Sequence, residues 1–415
     1  MKFVHKISFL NTLHGLHSKE ARVLFLALAS LLLICAYKRF TLYLLNRKLG
    51  PIFGQKKDSG FAFEMRRYKN RYEFWIFDKL LYLSGVLSQK ELLERYLHID
   101  IANITSEKRG LLFLKKTIFI IYAEVRLNKF NYPLKNLKLK KGDILYGWDL
   151  SLSKYTIENT ESGAFSILVV GSSGSGKSTA VKILLSSACA ASITNNEAHK
   201  VIIADPKTTY MWAQKSYGAK IINPTTSKGA KQFRDSLQDI YDKIISSTEA
   251  LKSQGIAFEH VNQLTNEDYV KAGIEPFIKT YVIIEEFERI WGSDRAKPPK
   301  PSAGSGEETK LAYEFYMQSE ASGFLCSQLL GLGRAYNVVI ILATQSALVS
   351  ATDHPKLNSI QCIMGARISP EASNRIFGDS RICTSSNLKN VGDFILKSDR
   401  GGIRKIQVPK FSEDK

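Results

Sequence analysis

Short runs of apolar residues alternate with longer helix-like segments over most of the chain after residue 150. Helical stretches, notably 179–191 and 230–251, lie between these runs. Continuous apolar strands that alternate with helices are typical of a mostly parallel sheet covered on both faces. The pattern predicts an α/β domain over residues 151–410, followed by a short tail at 411–415. The candidate strands are residues 165–170, 201–204, 220–222, 281–284, 338–342 and 360–364.

One segment interrupts this alternation of strands and helices. Residues 294–308 read DRAKPPKPSAGSGEE, in which proline, glycine, serine and charged residues dominate. Such a composition is typical of an exposed loop and not of a packed element. We therefore expect a flexible insertion at about 292–308 within the α/β domain.

A separate apolar run lies near the N-terminus. Residues 23–37 read VLFLALASLLLICAY and contain no charge. As a helix they span about 22 Å, and the apolar stretch 40–45 can extend the run towards the thickness of a bilayer. A core helix would show a polar face, and a signal peptide would have a small-residue cleavage site where Lys38 and Arg39 stand. We predict that residues 1–45 are a tail with a single transmembrane anchor, and the basic residues that follow favour a cytoplasmic C-terminal side.

The positive charge of the chain is concentrated in its first third. The net charge is +19 overall, and residues 1–150 hold 27 basic and 12 acidic side chains, a net charge of +15. The basic run KNLKLKK at 135–141 belongs to this part. We expect residues 46–150 to form a small basic domain close to the membrane that meets anionic lipid, nucleic acid or both.

Composition narrows the class of protein further. Hydrophobic residues make up 44% of the chain and charged residues 23%, which is typical of a folded protein and not of a disordered one. The five cysteines are scattered and include no CxxC pair. A disulfide scaffold and a zinc ribbon are therefore excluded as the basis of the fold, and a reducing compartment is the simplest interpretation.

The strongest chemical signal is the phosphate loop GSSGSGKS at residues 171–178, which fits G-x-x-x-x-G-K-[ST]. A predicted strand precedes it and a predicted helix follows it, as nucleotide binding requires. Glycines let backbone N–H groups surround phosphate oxygens, and the helix N-terminus adds positive charge. Lys177 can reach the β- and γ-phosphates of ATP, and the Ser178 hydroxyl can ligate Mg²⁺. The predicted nucleotide-binding residues are Gly171, Ser172, Ser173, Gly174, Ser175, Gly176, Lys177, Ser178 and Thr179.

Two acids follow a later predicted strand, in the sequence YVIIEEF. Acids after a strand are often only surface residues, but this pair comes 108 residues after Lys177 in an α/β pattern. We predict that Glu285 holds the Mg²⁺ shell and that Glu286 polarises the attacking water. Gln345 ends another predicted strand, where its amide can sense the γ-phosphate and the water. These residues predict an ATP hydrolase.

Five stretches follow one another in a characteristic order: GSSGSGKS, IIADPK, VIIEEF, GRAYNVVIILATQ at 333–345, and GARISPEASNRIFGD at 365–379 with NVGDFIL after it. In these stretches the chain resembles the FtsK/SpoIIIE branch of the HerA-like ATPases, which are membrane-anchored motors that pump DNA. The resemblance covers about residues 145–409, and DPK followed by ATQ is far more specific than a phosphate loop alone.

The resemblance implies a RecA-like domain, assembled as a homohexameric ring with ATP at the subunit interfaces. In such rings an arginine enters the neighbouring site and stabilises charge in the transition state. Arg375 matches the position of this arginine best, and Arg334 and Arg367 are the other candidates. The alternative for each arginine is a surface salt bridge.

Three departures from the family shape the functional prediction. Glu285 stands where the family usually has Asp, and the interval from Glu286 to Gln345 is longer than usual. The chain also ends soon after Pro409, without the C-terminal winged-helix module of chromosome-segregating members. A short chain with one anchor, a small basic domain and a motor without that module looks more like the coupling proteins of Gram-positive conjugative elements, which deliver a relaxase-bound DNA strand to a transfer channel.

The sequence therefore predicts a membrane-anchored, ATP-dependent DNA translocase with a cytoplasmic motor domain. Two alternatives stay open. One is a motor of the same family that energises protein export, as in type VII secretion. The other is a nucleotide-gated adaptor that binds ATP and hardly hydrolyses it.

Overall fold

The structure of the chain is a computed structural model. It divides into two compact units, Met1–Glu124 and Val125–Lys415. The apolar run 23–37 and Arg334 lie outside the described part of the chain. The structure describes residues 63–67, 71–76, 94, 101–109, 116–124, 126–127, 137–160, 166–291, 297–333, 335–345, 360–384, 387–399 and 401–411.

The first unit contains a four-stranded antiparallel sheet. Its order is β1-β2-β4-β3, with an irregularity in the pairing of β3 with β4 between Ile101 and Asn103. All four strands fall within the segment 46–150 that the charge pattern singled out. The strands are β1 (Phe63–Arg67), β2 (Arg71–Ile76), β3 (Ile101–Arg109) and β4 (Lys116–Ala123).

The second unit contains a ten-stranded sheet in the order β6-β5-β14-β13-β12-β7-β11-β10-β8-β9. The section from β12 to β9 is parallel, and the strands from β13 to β6 add to it in antiparallel pairs. The strands are β5 (Asp143–Asp149), β6 (Lys154–Asn159), β7 (Ser166–Val170), β8 (His199–Ala204), β9 (Lys220–Ile222), β10 (Lys279–Glu285), β11 (Val338–Thr344), β12 (Cys362–Gly365), β13 (Asp393–Ser398) and β14 (Gly402–Gln407).

Helices connect the parallel strands. Thr226 caps the long helix α3, because its hydroxyl accepts a hydrogen bond of 3.0 Å from the Gly229 N–H. Helix α1 is the first helix after β7 and is buried along most of its length. In the described residues the helices are α1 (Lys177–Thr194), α2 (Met211–Tyr217), α3 (Ser227–Ser253), α4 (Asn266–Ala272), α5 (Glu288–Trp291), α6 (Glu307–Leu332) and α7 (Pro370–Phe377), with a 3₁₀ turn at Val261–Gln263.

The predicted α/β class and the mostly parallel sheet are confirmed. Each of the six predicted strands forms and lies in the parallel section. Successive side chains of a strand point to opposite faces: Ile167 packs into the hydrophobic cluster around α1, and Leu168 packs into the cluster around α3 and α6. Both faces of the parallel section are therefore covered at its centre, which is why strands β7 and β11 are buried along their whole length.

Two parts of the second unit differ from the sequence-based boundaries. Strand β5, which the charge pattern placed in the basic segment, pairs with β14 and buries Ile144, Leu145 and Tyr146. In the predicted insertion, residues 297–306 have no helix or strand, but the final two acids, Glu307 and Glu308, already begin α6. Acidic residues stabilise the first turn of a helix because they oppose its positive end.

No helix within the described ranges is both long enough and apolar enough to cross a membrane. The predicted anchor lies outside those ranges, so it stays a prediction.

Candidate active site

Four neighbouring parallel strands end at one edge of the large sheet and carry the candidate site. Their order is β7-β11-β10-β8, so one strand separates the phosphate loop from the two acids. The loop follows β7, Gln345 follows β11, Glu285 is the last residue of β10, and Glu286 comes directly after it. Ligands of open α/β sheets bind at the carboxyl ends of the strands, and the predicted residues meet at that edge.

The phosphate loop is held by backbone contacts to its neighbours. The Gly171 N–H donates to the Thr344 carbonyl at 3.3 Å, and the Ser172 N–H donates to the Arg367 carbonyl at 2.9 Å. Gly176 has φ of 98° and precedes α1 as its N-cap, a conformation that side chains rarely adopt. A Cβ at Gly171 would lie 2.5 Å from the Ser175 hydroxyl oxygen. The loop therefore needs its glycines to form a cradle.

Lys177 lies at the start of α1 and is only 7% exposed. Burial lowers the pKa of Lys177, and the carboxylates of Glu285, Glu288 and Glu286 oppose that shift. Ser178 and Thr179 are half-buried on the same first turn. An ammonium group and a hydroxyl thus stand beside backbone N–H groups at the positive end of a helix, which is an anion-binding arrangement.

Glu285 is buried at the end of β10. The Tyr210 hydroxyl donates a hydrogen bond to Glu285 Oε1. Burial raises the pKa of Glu285, while this hydrogen bond and Lys177 act in the opposite direction. A divalent cation at this carboxylate would favour its ionised form, because an opposite charge stabilises the charged state.

Glu286 is also buried, and its backbone has a φ of 49°. A residue other than glycine seldom adopts this left-handed conformation, and such outliers cluster at functional sites. The Gln345 Nε2 donates to Glu286 Oε1 at 2.6 Å, and the Lys207 ammonium forms an ion pair with the same oxygen. The structure therefore brings the predicted residues Glu286 and Gln345 into direct contact.

Three site residues were not predicted from the sequence. Lys207 and Tyr210 lie after β8 and reach the two acids of β10, and Glu288 Oε1 accepts the Gln345 N–H at 3.2 Å. The DPK stretch held the signal for Lys207, since the carboxyl ends of adjacent parallel strands meet. No comparable sequence signal pointed to Tyr210.

The candidate arginines occupy different surroundings. Arg375 is exposed in the last turn of α7. Arg367 Nε donates to the Leu388 carbonyl at 2.7 Å, so its guanidinium is engaged within its own chain. A residue must be exposed in order to contact a second subunit, and Arg375 meets this condition. Its contact with the active site of a neighbouring subunit stays a prediction.

A comparison of the sequence with known protein families identifies the class of ATPase to which the domain belongs. Residues 164–302 match the family described as DUF87, the central domain of the helicase HerA. This stretch includes the phosphate loop, Glu285 and Glu286. The chain therefore carries a HerA/FtsK-type ATPase domain, as the motifs predicted. No curated protein matches the chain.

The solved structures that match the chain include a conjugation coupling protein and a secretion ATPase. The conjugation coupling protein TcpA of pCW3, solved as a monomer with ATPγS, has a TM-score of 0.55 and 16% identity, over 88% of this chain and 94% of TcpA. EssC (ATPases 2 and 3) from Geobacillus thermodenitrificans has a TM-score of 0.47 and 15% identity, over 70% of this chain and 49% of EssC. At these identities the TcpA match shows a shared fold.

Proposed function

We propose that this chain is a membrane-anchored ATPase that translocates DNA during conjugative transfer, with its motor domain in the cytoplasm. The observation that carries the proposal is the convergence of the phosphate loop, Glu285, Glu286 and Gln345 at one sheet edge of a HerA/FtsK-type domain. In this proposal the motor works as a homohexamer and receives DNA from a relaxase at a transfer channel.

The residues of the site fit ATP with Mg²⁺. Gly171 and Gly176 hold the loop in a conformation that a side chain at either position would disturb, and buried Lys177 supplies a cation for the phosphate oxygens. The Ser178 hydroxyl and the Glu285 carboxylate are the oxygen ligands that Mg²⁺ prefers. When bound, the metal ion would neutralise charge on the phosphates during their transfer to water.

Glu286 is the residue placed to act on the attacking water. Its carboxylate can accept a hydrogen bond from water and so increase the nucleophilicity of the water oxygen. Gln345 and Lys207 fix Glu286 Oε1 from two sides, which leaves the carboxylate one preferred orientation. We propose that Gln345 couples this orientation to the nucleotide, since it ends the strand between the loop and the acids.

The assignment to DNA transfer is supported by three features of different kinds. The predicted organisation of the chain resembles that of coupling proteins, and TcpA shares the fold over nearly its whole length. The first 150 residues carry a net charge of +15, which favours contact with nucleic acid or anionic lipid. Arg375 is exposed, as a residue that contacts a second subunit must be.

Steady-state ATP hydrolysis, measured with and without DNA, tests the proposal. We expect DNA to stimulate hydrolysis, because a translocase couples turnover to movement along its track. Stimulation by an export substrate and not by DNA would instead support a secretion motor. Binding of ATP with neither kind of stimulation would support the nucleotide-gated adaptor and overturn the proposal.

Cell fractionation tests the anchor separately. The full chain should be recovered with membranes, and a variant that lacks residues 1–45 should be soluble and still bind ATP, because the second unit has its own core. Full-length protein in the soluble fraction would contradict membrane anchoring and leave the ATPase assignment intact.

A further inference from the structure

The turn at residues 205–210 connects β8 to α2 and runs along the end of β10. In the parallel pairing of these strands, Ala204 lies opposite Ile284. The residues that follow Ala204 therefore lie beside Glu285. This register makes the turn a neighbour of both acids, although it is about 80 residues earlier in the chain.

Asp205 organises this turn. It is buried, and its Oδ1 accepts the Lys207 N–H at 2.9 Å, while its Oδ2 accepts the Tyr210 N–H at 3.0 Å. The Thr209 hydroxyl adds a further contact to the same carboxylate at 3.3 Å. The backbone of Tyr210 is thus fixed independently of its side chain.

The Tyr210 ring is fully buried and packs beside Trp212, with 6.5 Å between ring centroids. The Lys182 ammonium lies 6.0 Å from the centroid of the Tyr210 ring. With the backbone tied to Asp205 and the ring enclosed, the hydroxyl has one direction in which to donate. It donates to Glu285 Oε1.

We infer that Tyr210 is a positioning residue that orients the Glu285 carboxylate towards Mg²⁺. The inference rests on the proposed nucleotide function. Glutamate has one more side-chain torsion than aspartate, so a glutamate at a metal site needs a partner that restricts its carboxylate. The Tyr210 hydroxyl engages Oε1, so Oε2 is the oxygen that would bind the metal ion or one of its waters. Partners of this kind orient metal ligands and tune metal affinity.

The test compares Tyr210→Phe with a matched control, Tyr281→Phe. Tyr281 is also buried, lies on β10 four residues before Glu285, and has its hydroxyl 3.2 Å from the Ser192 hydroxyl. Each substitution removes one buried hydroxyl and keeps the ring. Thermal unfolding of both variants shows whether they fold equally well.

The measured quantity is the binding of a fluorescent, non-hydrolysable ATP analogue, in EDTA and across a Mg²⁺ titration. For Tyr210→Phe we expect the affinity for the analogue in EDTA to be unchanged. Mg²⁺ increases this affinity, and the Mg²⁺ concentration that gives half of the increase should rise about 10-fold. Tyr281→Phe should match the wild type in both conditions. Equal Mg²⁺ dependence of Tyr210→Phe and the wild type, or an equal loss of affinity with and without Mg²⁺, would overturn the inference.

A double-mutant cycle with Glu285→Asp isolates the contact. Aspartate is one methylene shorter than glutamate, so its carboxylate should lose the contact with the Tyr210 hydroxyl, and Tyr210→Phe should have no further effect on Mg²⁺ dependence in that background. The same shift in both backgrounds would show that Tyr210 acts elsewhere. The binding assay needs neither DNA nor ATP hydrolysis. Its result can therefore be interpreted even if DNA does not stimulate hydrolysis. A wild type that binds no nucleotide would overturn the proposed function and the inference together.

Discussion

The phosphate loop and the acidic end of β10 serve one site but are built in different ways. The loop is eight consecutive residues, and its shape comes from backbone contacts and glycine conformations. The acidic end is built from side chains of three strands, since Glu286 contacts Gln345 after β11 and Lys207 after β8. A local sequence motif therefore defines the first region, and sheet register defines the second.

This difference predicts two kinds of mutational effect. A change in the loop should weaken nucleotide binding itself, because the loop supplies the groups that meet phosphate. A change at the acidic end should spare binding and alter hydrolysis or the response to Mg²⁺. The variants below test whether the two regions separate in this way.

Lys177→Ala should have the largest effect, because the phosphates lose a buried cation. We expect no measurable hydrolysis, and a loss of nucleotide affinity of roughly 10- to 100-fold, typical of a hydrogen bond to a charged group. Lys200→Ala is the control, since Lys200 is exposed near the opposite end of β8. Equilibrium binding and steady-state hydrolysis measure both quantities. Wild-type turnover by Lys177→Ala would exclude the loop as the catalytic nucleotide site.

Arg375→Ala tests whether a third region, supplied by another subunit, completes the site. Nucleotide binding by the monomer should stay nearly unchanged, and hydrolysis should fall by about 10³- to 10⁵-fold, as for an arginine finger. Mixing Arg375→Ala with Glu286→Gln should restore activity at interfaces that pair an intact Glu286 with an intact Arg375. Mixed rings that form and stay inactive would rule out the trans role, and Arg334 and Arg367 would then be tested in the same way.

Arg126→Ala tests whether the ion pair next to the phosphate loop stabilises the domain. Arg126 forms a two-pronged ion pair with buried Asp393, at 2.7 and 2.9 Å, and the adjacent Gly392 N–H donates to the Ser175 carbonyl at 3.4 Å. Loss of this partner leaves a buried carboxylate less well satisfied. We expect a loss of about 1–3 kcal/mol in the free energy of unfolding, measured by urea denaturation.

The matched control for that prediction is Arg381→Ala. Arg381 pairs with Asp379, and its side chain is 71% exposed. An exposed ion pair contributes about 0–1 kcal/mol. Equal effects of the two substitutions would show that the Arg126 contact does not stabilise the domain.

Glu285→Asp should have the smallest effect. Aspartate is the residue usual in the family, so we expect hydrolysis at saturating Mg²⁺ to be preserved or raised. Steady-state hydrolysis across a Mg²⁺ titration measures the change. Complete loss of activity would show that Glu285 is not the metal-binding residue.

The sequence predicted the parts of the molecule that are locally encoded. The six parallel strands follow from apolar runs, and the loop from a contiguous motif. Strand β5 was not assigned to the sheet, because its pairing with β14 joins residues more than 250 positions apart. Tyr210 was missed for a related reason. Its role depends on the register that places Ala204 opposite Ile284, and this register leaves no mark in the residues around Tyr210.

The central claim is that the loop binds ATP and that Glu286 at the acidic end drives its hydrolysis. The most direct test is to load wild type and Glu286→Gln with ATP and Mg²⁺, isolate the protein, and identify the bound nucleotide over time. Both proteins should bind with similar affinity. We predict that the wild type yields ADP while Glu286→Gln retains ATP, because only the carboxylate that polarises water is lost. Conversion to ADP by Glu286→Gln at the wild-type rate would contradict this account of the site.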